Sequence, residues 1–327
     1  MSFTQVTPAP ARLNRSTLAV PGSQTKFFEK AAKSLADVIF LDLEDAVSAD
    51  QKANARKTVV EALRDLDWGR KTLSVRINGL DTHHAYRDII DLVEQSGERL
   101  DLILVPKIGT AADVYAVDML LTQAETAVGR KKRIGLELQI ETALGLQNIH
   151  EIAGASKRIE SLHFGSGDFA ASTGARNTSI GGSNPDYAIL TDKDPEGNRA
   201  THWQDMWHYA LARLVVAARA NGLRPVDGPY GDFQDAEGMR VAAKRSAALG
   251  FAGKMVIHPS QIAIANECFS PPPQEVEKAR RILAAMEEGR LKGQGAVALD
   301  GKLLDIASIR QAEVLVKTAA MIEEAGS

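Results

Sequence analysis

The nine residues R-I-G-L-E-L-Q-I-E (133–141) decide the fold. Leu136, Leu138 and Ile140 alternate with Glu137, Gln139 and Glu141, a period of two that puts three polar side chains on one face of a strand. A polar interior face under a polar rim points to a functional barrel. Working outward, seven more β-rich runs stop at Gly, Pro or a charged residue: Thr17–Pro21, Val38–Asp45, Thr72–Asn78, Leu100–Lys107, Ile159–Asp168, Leu223–Gly228 and Lys254–Pro259. Helix-like spacing fills the gaps, at Lys26–Lys33, Gln51–Leu66, Ala85–Glu98, Ala111–Ala127, Leu144–Ala155, Asp205–Asn221 and Asp235–Leu249. Alternation of this kind implies parallel strands with helical crossovers, in an open doubly wound sheet or a closed α/β barrel. A count of eight favours the (β/α)8 TIM barrel.

The strand ends carry the chemistry. In order they present Gly22 with Ser23; Asp42, Glu44 and Asp45; Arg76 with Asn78; Lys107; Glu141; Asp168; Asp227; and His258. Wet loops account for one or two polar strand ends, not for nearly all of them. A barrel gathers these ends around one mouth, where barrel enzymes keep their active sites, whereas an open sheet spreads them along an edge.

Two stretches fall outside the repeat. Thr173–Ala200, rich in Gly, Asn, Asp and Ser, is too long for a mere connector and reads as a functional cover. Pro271-Pro272-Pro273 marks a rigid break, so residues 1–269 form the expected barrel and 270–327 a small helix–hairpin–helix extension. Its helices are Glu275–Glu288 and Ile306–Ala325, and Asp300-Gly301 between them matches a type I′ turn. So little chain cannot bury much core alone and is expected to pack on this barrel or on a neighbour's.

Composition narrows the function. Lys+Arg 39 against Asp+Glu 42 gives a net charge of −3 over 327 residues, with no long basic block, which argues against nucleic-acid or anionic-membrane partners. No window resembles a membrane span or a secretory h-region, so the expected location is cytoplasmic. One cysteine, Cys268, excludes an internal disulfide framework and a Cys-cluster zinc site.

If Glu141 and Asp168 end adjacent strands, they stand about 5 Å apart across the ladder. They are then either two hard oxygen ligands for Mg²⁺, with Mn²⁺ as a second choice, or solvated and ion-paired carboxylates. Arg76 fits an oxyanion or carboxylate near such a metal, or a salt bridge to Asp42, Glu44 and Asp45; the two roles are compatible. Lys107 is expected to act structurally or electrostatically rather than as a Schiff base, since nothing beside it in sequence lowers an amine pKa. Gly165-Ser166-Gly167-Asp168-Phe169-Ala170 matches G-x-G-x-x-A, but Asp168 would repel a pyrophosphate, so these glycines are read as letting a ligand approach the backbone.

Eight segments resemble the citrate lyase β-subunit-like aldolases: R-S-T-L-A-V-P-G-S (15–23), D-V-I-F-L-D-L-E-D-A-V (37–47), S-V-R-I-N-G-L-D-T (74–82), I-E-T-A-L-G (140–145), F-G-S-G-D-F-A-A-S (164–172), V-D-G-P-Y-G-D-F (226–233), V-I-H-P-S-Q-I (256–262) and L-L-D-I-A-S-I-R-Q-A-E (303–313). The likeness runs nearly end to end and is strongest to members that cleave malyl-CoA. It implies a Mg²⁺-dependent barrel enzyme that reversibly splits (S)-malyl-CoA into acetyl-CoA and glyoxylate, and β-methylmalyl-CoA into propionyl-CoA and glyoxylate. By the same resemblance the metal carboxylates are Glu141 and Asp168, the substrate arginine is Arg76, and the acid/base is Asp305. Coenzyme A contacts carry over to Lys30, Gly167, Asp168, Ile257, His258 and Gln24, and to Ala19, where many relatives have a bulky aromatic. In relatives the tail comes from a neighbouring subunit, implying a homo-oligomer, trimer or hexamer. A malyl-CoA thioesterase or a citramalyl-CoA lyase on the same scaffold is the alternative, followed by a carrier-dependent subunit and a nicotinamide dehydrogenase.

Overall fold

Eight parallel strands close into a barrel in a computed structural model that describes residues 6–176, 179–293, 297–304 and 306–326. The first six are β1 (Ser16–Pro21), β2 (Val38–Asp42), β3 (Thr72–Arg76), β4 (Leu102–Val105), β5 (Gly135–Ile140) and β6 (Ile159–Phe164). The short strands β7 (Ala188–Leu190) and β8 (Thr201–Trp203) pair antiparallel outside the barrel. β9 (Arg224–Asp227) and β10 (Gly253–Val256) then complete the ring, which closes where β10 pairs with β1, Lys254 opposite Ser16. The chain is therefore the expected TIM barrel. The β7–β8 hairpin is new, because its strands lie inside or beside the polar excursion Thr173–Ala200, whose composition gave no strand signal.

Alternation along the strands sorts the core. Ile39, Leu41, Leu73, Val75, Ile103, Leu136, Leu138 and Leu162 are buried without exposed surface on the outer, helix-facing side. Burial of each such side chain contributes roughly 1.5–3 kcal/mol. Phe40, Leu104, Val226 and Met255 cluster together, with Ala19 packed against them. Elsewhere the interior is polar. Glu137 accepts hydrogen bonds from Ser74 Oγ at 2.6 Å and Ser161 Oγ at 3.0 Å, and His163 Nε2 lies 3.1 Å from it. Burial pushes the Glu137 carboxyl up, but His163 and Ser74 outweigh this and bring it down to about 2.

The helices follow their local signals. Thr110 and Asp113 form a capping box that starts the helix Ala111–Ala127 where the sequence predicts it. The Asp235 side chain caps Ala236–Leu249, which ends at Gly250 with φ 110°. The single helix expected over Leu144–Ala155 is two, Ala143–Gln147 and Ile149–Gly154. They break at Asn148, whose side chain donates to Gly109 O at 2.9 Å. Such a side-chain bond competes with helix continuation.

The chain divides into two compact units, Met1–Asn266 and Glu267–Ser327. In the second, the helices Pro273–Leu291 and Ile306–Gly326 pack together, and β11 (Val297–Leu299) pairs with β12 (Lys302–Leu304). Asp300 at φ 50° and Gly301 at φ 73° supply the two positive angles of a type I′ turn. Among the described residues, no helix is long and apolar enough to cross a membrane.

Candidate active site

Arg76, the last residue of β3, is locked from behind. Its Nε and Nη2 each donate 2.7 Å bonds to the two oxygens of Asp42, the last residue of β2, in a bidentate fork. Nη1 lies 3.2 Å from Glu44 Oε2 and 3.3 Å from Asp45 Oδ2. The Phe40 ring stands 5.8 Å from the guanidinium carbon. Burial works against the charge, but Asp42, Glu44 and Asp45 raise the Arg76 pKa above the ordinary arginine value. A fixed cation thus stands at the barrel mouth with a preset orientation.

Glu141 follows β5 and is fully buried. Lys107 N–H donates to its Oε1 at 2.9 Å and Gln139 Nε2 to its Oε2 at 2.6 Å. Gly165 makes room for it: a β-carbon there would sit 2.3 Å from Glu141 Oε2. Asp168 is not at a strand end, as expected from sequence, but in the first turn of the helix Ser166–Thr173 beyond β6. The helix turns it back toward the mouth, where its Oδ1 lies 3.7 Å from Lys107 Nζ. Burial, then the charge of Asp168, push the Glu141 carboxyl up to about 8, against the pull of Arg76.

The Lys107 ammonium also pairs with Glu44 and lies 3.6 Å from Asp45 Oδ1. Burial lowers its pKa, but Glu44, Asp45 and Glu141 outweigh this and hold it above the ordinary lysine value. A Schiff-base amine needs the opposite shift. The electrostatic role expected of Lys107 is the one its surroundings favour.

Five carboxylates, Asp42, Glu44, Asp45, Glu141 and Asp168, therefore face two fixed cations, Arg76 and Lys107. Asp42 is spent on Arg76. Glu141 and Asp168 repel one another, and Lys107, shared with Glu44 and Asp45, does not neutralise the pair, which is the donor set a hard divalent cation relieves. Among the described residues no group of three His, Cys, Asp or Glu side chains is placed to hold a metal. Two carboxylates fit Mg²⁺, which keeps several positions for water and substrate.

The remaining expected contacts scatter around the rim of the first unit. Ala19 lies on β1 in the interior cluster, while Gln24, Lys30 and Gly167 are exposed. Ile257 and His258 are exposed just beyond β10. Asp305 lies outside the described residues. Sequence reasoning missed Phe233, whose half-exposed ring stacks on His258 at 4.6 Å and 22°. Its signal was an aromatic after Gly231-Asp232 in the motif 226–233.

A family model described as HpcH/HpaI aldolase/citrate lyase matches residues 15–259. The chain belongs to the HpcH/HpaI aldolase/citrate lyase family. The fold and the lyase class expected from sequence are those of this family. It is 54% identical over 98% of its length to the L-malyl-CoA/β-methylmalyl-CoA lyase of Cereibacter sphaeroides (strain ATCC 17025 / ATH 2.4.3), covering 99% of that protein. A (3S)-malyl-CoA thioesterase from the same strain is 38% identical, with 89% of each chain covered. Among solved structures, the protein CitE of Mycobacterium tuberculosis in complex with magnesium, acetoacetate and coenzyme A is similar at TM-score 0.69 and 27% identity, covering 95% of this chain and 99% of that one.

Proposed function

We propose that this family member reversibly cleaves (S)-malyl-CoA to acetyl-CoA and glyoxylate, and β-methylmalyl-CoA to propionyl-CoA and glyoxylate. The observation that carries the proposal is the convergence of Glu141 and Asp168 beside Arg76 and Lys107 at the barrel mouth. The lyase relative at 54% identity supports it over the thioesterase at 38%. The magnesium and coenzyme A held by CitE support Mg²⁺ and a CoA thioester here, and nothing favours Mn²⁺.

Glu141 and Asp168 are assigned to hold Mg²⁺, which when bound polarises the oxygen on the carbon whose bond breaks. Arg76, held by Asp42 and faced at Nη1 by Glu44 and Asp45, supplies a fixed positive charge at the mouth that favours the negative charge developing as the thioester enolate leaves. Asp305 is assigned the proton exchange at the acetyl methyl carbon, on the resemblance of its motif alone. A carboxylate is a weak base for such a proton, so oxyanion stabilisation must lower much of the barrier. Lys30, Gln24, Gly167, Asp168, Ile257, His258 and Ala19 are assigned to the coenzyme on the resemblance of their motifs. The extension 270–327 is assigned as a lid on a neighbour's site in a homo-oligomer.

A coupled assay tests the proposal. (S)-malyl-CoA and Mg²⁺ should yield glyoxylate without free thiol, and EDTA should stop the reaction. Free thiol without lasting glyoxylate would instead establish hydrolysis, and cleavage of citramalyl-CoA to pyruvate in preference would reassign the substrate.

A further inference from the structure

Among the described residues only Lys107 and Asp300 have positive φ without being glycine. Asp300 serves the tail turn; Lys107, at φ 53°, sits in the mouth. A β-carbon is strained in the left-handed region, and such strain persists only where the surroundings over-determine it. Here the turn aims both ends of one residue at the two candidate metal carboxylates. The backbone N–H reaches Glu141 at 2.9 Å, and Nζ lies 3.7 Å from Asp168 while also pairing with Glu44 and Asp45. Gly109 and Thr110 anchor the turn by donating to Asp113 Oδ2 at 2.9 and 2.8 Å.

We propose that Lys107 is a positioning residue of the metal centre, whose N–H fixes Glu141 and whose ammonium weakens the hold on the divalent cation while strengthening that on the anionic substrate. The inference rests on the assignment of Mg²⁺ to Glu141 and Asp168. Its two halves have opposite signs. A cation beside Asp168 repels Mg²⁺ but attracts the carboxylate of malyl-CoA or glyoxylate, whereas a residue that merely props the fold would weaken both interactions when removed.

The test uses the full chain as isolated and two readouts, Mg²⁺ titration calorimetry of the metal-free protein and the KM for (S)-malyl-CoA at saturating Mg²⁺. Lys107→Met should bind Mg²⁺ about tenfold tighter and raise KM about tenfold, from the loss of one unit charge at close range. Lys107→Arg should return both values toward wild type. Lys107→Gly, which takes a positive φ without strain and keeps the N–H, should reproduce both shifts and guards against misfolding of the Met variant. Unchanged or weaker Mg²⁺ binding in both neutral variants would overturn the role of Lys107 alone. Absence of Mg²⁺ uptake by the wild type would overturn the metal assignment, and this inference with it.

Discussion

The two ends of the barrel carry opposite electrostatics. At the N-terminal end of the strands Arg12, Arg99, Lys132 and Arg224 surround two carboxylates, Asp101 and Glu160. Glu160 takes Arg12 Nε at 2.7 Å and Arg224 Nη2 at 2.8 Å, and Asp101 takes the Leu73 N–H at 2.8 Å besides its cations. Spare donors end on backbone carbonyls, as Arg99 does on Lys71 O at 2.7 Å. Every acid there is matched. At the mouth the acids outnumber the fixed cations, and Glu141 is buried beside Asp168 with its pKa raised. One end is closed on itself and holds the barrel together; the other is left short of positive charge and can take a ligand.

The largest expected effect breaks the mouth alone. Glu141→Gln should abolish Mg²⁺ uptake and reduce kcat by at least ~10³-fold, as expected when a Lewis acid that stabilises transition-state charge is lost. Its melting temperature without metal near pH 7 should change little, because a carboxyl with its pKa pushed up to about 8 is already mostly neutral there and glutamine is a neutral group of the same shape. Glu160→Ala is the converse change. It leaves Arg224 without its acid and Arg12 with only Asp101 at 3.7 Å, and should cost about 3 kcal/mol of stability in urea titrations, with kcat at saturating substrate unchanged. If kcat fell while stability held, the division of labour between the ends would be wrong.

Smaller changes sharpen the contrast. Gly165→Ala pushes a methyl group against Glu141 and should weaken Mg²⁺ binding by about tenfold, the usual cost of disturbing what orients a ligand, and because that methyl would also stand 2.6 Å from Glu141 Cβ it should lower the melting temperature as overpacking does. The smallest effect is one of pH. With its folded pKa about 8, above the unfolded value 4.5, Glu141 binds a proton more readily in the native state. Its contribution to metal-free stability is therefore fully present below the unfolded pKa and is lost as pH rises through the folded pKa. Mg²⁺ uptake near pH 7 should release about one proton, visible as a buffer-dependent heat in calorimetry. A buffer-independent heat would place Glu141 already ionised.

Much of this was legible in the residues. All eight barrel strands were, because each apolar run is short and ends at a residue that breaks or caps it. The alternation at 136–141 showed the polar interior, and the placing of Arg76 beside Asp42, Glu44 and Asp45 was one of the roles read for it. Asp168 was misplaced onto a strand, since nothing local says whether Ser166-Gly167 continues a strand or starts a helix; the answer depends on Gly165 clearing Glu141. The left-handed turn at Lys107 was also hidden, because lysine has no preference for positive φ and the turn is held by Asp113 and Glu141. Both misses concern residues whose conformation is imposed from elsewhere in the fold.

Closure of the ring also governs how the protein is made. β1 finds one neighbour in β2, 21 residues on from Thr17 to Val38, but its other partner is β10, with Ser16 opposite Lys254. Until Lys254 has left the ribosome, one edge of the first strand has no partner, and the nascent sheet presents unsatisfied N–H and C=O groups at both margins. Such late, distant pairing makes folding slow and makes the incomplete chain prone to association. Truncations that stop before β10 should accordingly be recovered as aggregates rather than as smaller barrels.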